Sequence, residues 1–197
     1  LGWNLARLAE TLIPLIDPDK DRAIEILTDR INTIPARYNS HWTDAMRRKI
    51  GLTTEQSADA ELIEGLLTAM HQGNADFTLA FRNLATALRG NAVPLQSLFS
   101  ELSAINIWLE TWHARLAEEH IEAEARADAM DRINPVFIPR NHKVEEALSA
   151  AVDLEDMGPF EALLAVVSHP FEIIENHDGY ANPAPRTTVP YQTFCGT

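Results

Sequence analysis

Cys195, the lone cysteine of the 197 residues, stands third from the end, in the segment Tyr191-Gln-Thr-Phe-Cys-Gly-Thr197. A thiol near a chain end is reachable by oxidants and by other cysteines, so its natural chemistry is reversible oxidation or disulfide exchange. Pairing it with His169 or His177 as nucleophile and base would need fixed geometry, which a proline-rich tail gives no means to hold. His113 and His120 lie seven apart on a helical pattern. Metal ligands on one helix face sit three or four apart, so these two read as part of a solvated acidic face. Glu118, Glu119, Glu122 and Glu124 could supply an acid/base carboxylate pair if burial or crowding raised one pKa. With no cleft or basic partner in view, they read as a solvated charge run. Asp17, Asp19 and Asp21 alternate like a calcium loop, but Arg22 stands where that loop needs glycine and Thr28 where it needs glutamate. Acids in a first helical turn explain them better. Trp108 and Trp112, one turn apart, read as packing rather than as a ligand platform. Arg47-Arg48-Lys49 closes a helix, where cations complement the dipole; a local anion site is the alternative. There is no glycine-rich phosphate loop and no Gly-x-Ser-x-Gly elbow, so by motif the chain carries no catalytic apparatus.

Composition narrows the partners. The formal charge is −13, and it is uneven: residues 1–50 are nearly neutral, whereas residues 51–197 hold eight basic against twenty-two acidic side chains. Such a field repels phosphate backbones and anionic lipid, which disfavours nucleic acid and membrane surfaces as partners. One cysteine makes no intrachain disulfide, and the longest purely apolar run, residues 162–167, is far too short to span a bilayer. With no visible signal peptide, a cytoplasmic location is expected.

The elements that must position these residues are helical. Leu5, Leu8, Leu12 and Leu15 share one face of a first helix, and Asp17-Pro18 looks like the cap and first residue of the next. That second helix is expected to bury Ile24, Leu27, Ile31 and Ile34 and to break at Pro35, with a third running from about 36 to 50 and stopped by Gly51. Thr53-Thr-Glu-Gln56 reads as a capping box opening a helix with Leu62, Ile63, Leu66, Leu67 and Met70 inward. Asp76 caps the next, with Phe77, Phe81, Leu84 and Leu88, and Pro94 starts a short one. A single long helix is expected from about 103 to 132, with Glu122/Arg126 and Asp128/Arg132 as i,i+4 pairs. An extended link over 134–140 leads to helices at about 141–152 and 159–168, then to a tail held open by four prolines. The chain opens in helical periodicity without a methionine or a cap, which reads as part of a longer protein. The expectation is an all-α, multi-helix bundle with an extended C-terminal tail, divided into 1–133 and 134–197 and packed as one unit.

Three blocks carry a family resemblance: Trp3–Asp17 (WNLARLAETLIPLID), Arg132–Leu148 (RINPVFIPRNHKVEEAL), and Phe160–Pro170 leading through Tyr180-Ala181 to YQTFCGT. Together they resemble the C-terminal part of the selenoprotein O family, the bacterial YdiU-like proteins. The resemblance implies a protein-kinase-like fold whose last helices and helical extension lie here. It implies a protein adenylyltransferase that uses ATP and magnesium to move AMP onto Ser, Thr or Tyr hydroxyls of protein substrates. The family's nucleotide and metal ligands lie upstream of the first block, so none falls on this chain, and this portion alone is expected to be inactive. Its partners would then be the upstream catalytic region and the parent's protein substrates. Cys195 matches the family's near-terminal selenocysteine or cysteine, which implies a redox role. Arg140 and Asn141 match a family motif whose chemistry the resemblance does not state. Charge agrees with inactivity: AMP transfer needs positioned cations against the triphosphate, and a net of −14 beyond residue 50 opposes that. The competing expectation is a non-enzymatic helical module whose acidic face recruits a basic partner.

Overall fold

Proline and glycine mark most, but not all, of the breaks between helices, and a computed structural model describes residues 2–185. In chain order the helices are α1 (Gly2–Ile16), α2 (Lys20–Lys49), α3 (Asp59–Gln72), α4 (Phe77–Leu88), α5 (Val93–Gln96), α6 (Ser103–Ala117), α7 (Ala123–Asp131), α8 (Asn141–Asp153), α9 (Gly158–Val167) and α10 (Asp178–Ala181). Among the described residues there is no strand, so the all-α expectation holds. Cys195 lies outside the described residues. The chain forms two compact units, Leu1–Met46 and Arg47–Thr197, and the expected boundary at 133/134 falls inside the second.

In the first unit the cap of α2 is Asp19, not Asp17. Asp19 Oδ1 accepts from the backbone N–H of Asp21 (2.9 Å) and Arg22 (3.3 Å), while Asp17 Oδ1 accepts from Asp19 N (2.9 Å). The two aspartates act in series, and Pro18 lies in the turn before the helix. Helix α2 also runs straight through Pro35 instead of breaking there. A mid-helix proline costs about 3 kcal/mol, and α2 carries that cost in its interior. The stripe expected to be buried is less covered than its periodicity implied: Ile24 is exposed and Leu27, Ile31 and Ile34 are half-buried.

In the second unit α3 packs on α6, α4 on α5 and α7, and α8 on α9. The stop at Gly51 follows from backbone geometry. Gly51 sits at φ +80°, Leu52 N donates to Arg47 O (2.9 Å), and Gly51 N donates to Arg48 O (3.1 Å), a Schellman closure. A Cβ there would lie 2.6 Å from Met130 Sδ, so both conformation and space demand glycine. Asp76 caps α4 as expected, accepting from Leu79 N at 2.9 Å. The expected long helix over 103–132 is instead two. It breaks between Ala117 and Ala123, where His120 takes φ +50°. The apolar stripe carries across the break because Trp112, Leu116, Ala127 and Met130 are all buried. Periodicity alone could not reveal the interruption.

The two tryptophans pack as the sequence suggested. Their rings stack at 5.3 Å between centroids, with Trp108 Nε1 donating to Leu62 O (2.7 Å) and Trp112 Nε1 to Ile50 O (2.8 Å). Each buried indole is thereby satisfied. A further cluster under α8 and α9 joins Phe137, Ala147, Leu163, Val166 and Ala181. The extended link over 134–140 reaches it through Val136 N and Phe137 N, which both donate to Pro170 O (2.7 and 3.1 Å).

Candidate functional site

The break between α6 and α7 turns one carboxylate inward. Glu119, expected in a solvated run, has a side chain only 2% exposed. The backbone N–H groups and hydroxyls of Thr53 and Thr54 surround it at 2.6–3.2 Å, Arg115 reaches it at 3.2 Å, and Arg126 at 2.7 Å. This corrects the capping-box reading: the Thr53 and Thr54 donors serve a carboxylate 65 residues away, and α3 begins only at Asp59. Arg126 also donates to the carbonyls of Gly51 and Leu116, so it holds the Schellman turn from behind and does not make the expected pair with Glu122.

Asp59, the first residue of α3, is fully buried beside this cluster. It accepts from Arg115 Nε (2.8 Å), Arg47 Nε (2.9 Å) and Gln56 N (2.8 Å). Arg47 reaches on to Glu55 at 2.9 Å. The cation cluster at the end of α2 is therefore spent in part on Glu55 of the α2–α3 loop and on Asp59 at the start of α3. Lys49 is held too: its Nζ donates to Asn134 Oδ1 (2.9 Å) and lies 4.9 Å from the centre of the Phe81 ring, while Asn134 Nδ2 returns a bond to Lys49 O (2.7 Å). Burial pushes the Lys49 ammonium below its usual range.

Burial alone would raise the Asp59 and Glu119 carboxyls. The bonds from Arg115 to Asp59, and from Thr54 and Arg126 to Glu119, outweigh it and hold both below the usual carboxylate range. Groups pinned as anions in this way cannot trade protons near neutrality. Their stabilisation is complete above the unfolded pKa and is lost as pH falls through the folded one. The urea midpoint of the chain is therefore expected to be flat above about pH 5 and to decline progressively as pH falls below about pH 4. A midpoint no lower at pH 3 than at pH 6 would contradict the network.

Arg140 resolves half of the motif that sequence left unexplained. It clamps Asp76 with two bonds (Nη1 to Oδ2, 2.6 Å; Nη2 to Oδ1, 2.9 Å) and donates to Ala181 O at 2.8 Å. One guanidinium thus ties the α4 cap to α10, while Asn141 opens α8 on the surface. On the far side of α4, Arg89 grips Glu124, Asp128 and Asp131 at 2.6–2.9 Å, drawing α4 onto α7. This also shows where the Asp128 expected to pair with Arg132 goes instead.

A groove of about 750 Å³ runs between α3 and α6, floored by Leu62, Gly65, Ala69 and Trp108. Asp59 and Arg115 line it, but each is already satisfied by the other. His113 and His120 meet no further ligands, and among the described residues no group of three or more His, Cys, Asp or Glu side chains could hold a metal. No helix of the described residues is long and apolar enough to cross a membrane.

The fold and these clusters define an all-helical unit locked by buried ion pairs. A family model described as Protein adenylyltransferase SelO matches residues 1–168, and the chain belongs to that family. It is similar to the Protein nucleotidyltransferase YdiU of Rhizobium meliloti (strain 1021), 48% identical over 197 residues, which cover 99% of this chain and 40% of that protein. The proteins of the same name from Maridesulfovibrio salexigens and Agrobacterium fabrum (strain C58) are 42% and 40% identical over 195 residues each, again 99% of this chain and 39% and 40% of theirs. The chain thus spans about two fifths of the length of the curated relatives it matches.

Proposed function

We propose that this chain is the C-terminal helical part of a protein adenylyltransferase with a kinase-like fold, which moves AMP from ATP onto Ser, Thr or Tyr hydroxyls of cytoplasmic proteins. The supporting observation is the match along the whole chain to relatives whose remaining three fifths it does not contain. In this reading the chain supplies a scaffold, and the nucleotide chemistry belongs to the rest of the parent. The residues present do not fit ATP and magnesium: the buried Asp59 and Glu119 and the partly exposed Asp76 are all committed to arginines, and the buried Arg115, Arg126 and Arg140 to those acids.

The test uses ATP labelled at the α-phosphate or at the γ-phosphate with the full-length protein and a protein acceptor. The α-label is expected on acceptor hydroxyls and the γ-label is not. Transfer of the γ-label instead would make the protein a kinase and overturn the reading.

A further inference from the structure

Helices α3 and α6 run antiparallel. Arg115 Nε, in the last turn of α6, donates to Asp59 at the start of α3 (2.8 Å). At the other end Ser100 N, just ahead of α6, donates to the carbonyl of Gly73, just past α3 (2.9 Å). The groove of about 750 Å³ between them is lined along this whole length, from Ala58 to Gln72 on one side and from Ala104 to Arg115 on the other. The fourteen residues of α3 span about 20 Å at about 1.5 Å each, the length of a four-turn helix.

The lining is short-sided and apolar. A Cβ on Gly65 would lie 3.3 Å from Trp108 Cδ1, so the glycine lets the indole lie close against α3. Thr68 and Ala69 follow it on α3, and Ala104 and Thr111 stand on α6. Ile107, also in the lining, is 67% exposed. Small side chains of this kind let the backbone of another helix come close.

Charge says what kind of helix. Four lining residues are charged, and two of them, Asp59 and Arg115, are bound to each other. The other two, Glu61 and Glu64, are exposed and form no ion pair among the described residues. The groove therefore offers two uncompensated carboxylates beside an apolar floor, and its one cation is already taken. That complements an amphipathic helix with leucine-type residues on one side and lysine or arginine next to them. A second copy of this chain is a poor match, because residues 51–197, which carry the groove, hold eight basic against twenty-two acidic side chains.

We propose that the α3–α6 groove docks a basic amphipathic helix of a partner protein. The proposal concerns binding only and stands or falls independently of the AMP-transfer reading.

The test measures fluorescence anisotropy of a labelled leucine/lysine amphipathic peptide, about four turns long, and of its leucine/glutamate twin against the full-length protein. The lysine peptide is expected to bind at least about tenfold tighter than its twin. T68W, which fills the groove at an exposed position, and I107S, which keeps every charge, are each expected to weaken it about tenfold. E61Q/E64Q is expected to weaken it and flatten its salt dependence. E145Q/E161Q removes the same charge from α8 and α9, which do not line the groove, and is expected to change binding by less than about twofold. Equal binding of the two peptides, or binding unchanged in both T68W and I107S, overturns the proposal. Equal weakening by E61Q/E64Q and E145Q/E161Q also overturns it, since the peptide would then answer only to net charge. A photo-crosslinker at Ile107 that captures the same chain shows that the protein covers the groove itself. Self-association abolished by I107S shows that a second copy does. Either result overturns the proposal as well.

Discussion

Replacing Glu119 with alanine is expected to cost the second unit about 3–5 kcal/mol, the range for removing one partner of a buried ion pair. The size follows from what is left behind. Arg115 and Arg126, with side chains 8% and 3% exposed, lose their shared carboxylate, and the N–H groups of Thr53 and Thr54 lose their acceptor. Domain stabilities run to about 5–15 kcal/mol, so a loss of this size places the unit near its folding threshold. Glu118 is the internal control. It is the neighbouring acid, more than half exposed, and its removal is expected to change stability by no more than about 0.5 kcal/mol. Urea midpoints of the two variants decide the matter; equal midpoints would return Glu119 to the solvated run that its local sequence suggests.

The second large effect is expected at Arg140. Arg140→Met removes both bonds to Asp76 and the one to Ala181 O, at a cost of about 2–3 kcal/mol. The lower figure reflects Asp76, which is partly exposed and keeps its bond to Leu79 N. The damage should be local, with amide exchange rising over 178–181 because α10 loses its tie to α4. Arg140→Lys is not expected to rescue it, since an ammonium cannot make the two-pronged contact. Unchanged exchange over 178–181 in Arg140→Met would show that the clamp does not hold α10.

Much of this fold is legible in local pattern. The stop at Gly51, the Asp76 cap, the extended link over 134–140 and the α8–α9 pair all follow from residues within a few positions of each element. The misreadings share a different cause. Thr53 and Thr54 look like a capping box because the competing acceptor, Glu119, is 65 residues away and leaves no local mark. The α6–α7 break is invisible because both helices face the same core, so the apolar period survives the turn over 118–122. Pro35 marks a local cost of about 3 kcal/mol and not a stop, and α2 holds it in its interior. The buried network was missed for a related reason: nothing in its own stretch of sequence distinguishes Glu119 from Glu118, and only the fold brings Arg115, Arg126 and the threonines to one of them. One available signal was an arginine on the inward stripe. Arg115 falls one turn beyond Trp112 and two beyond Trp108, where a cation needs a buried acid.

On the proposed function, the charges of this chain hold helices together rather than handle a nucleotide. The most direct measurement gives residues 1–197 and the full-length protein the same α-phosphate-labelled ATP and acceptor, side by side. Label is expected on the acceptor with the full-length protein and none above background with residues 1–197. Acceptor labelled by residues 1–197 alone would contradict the account.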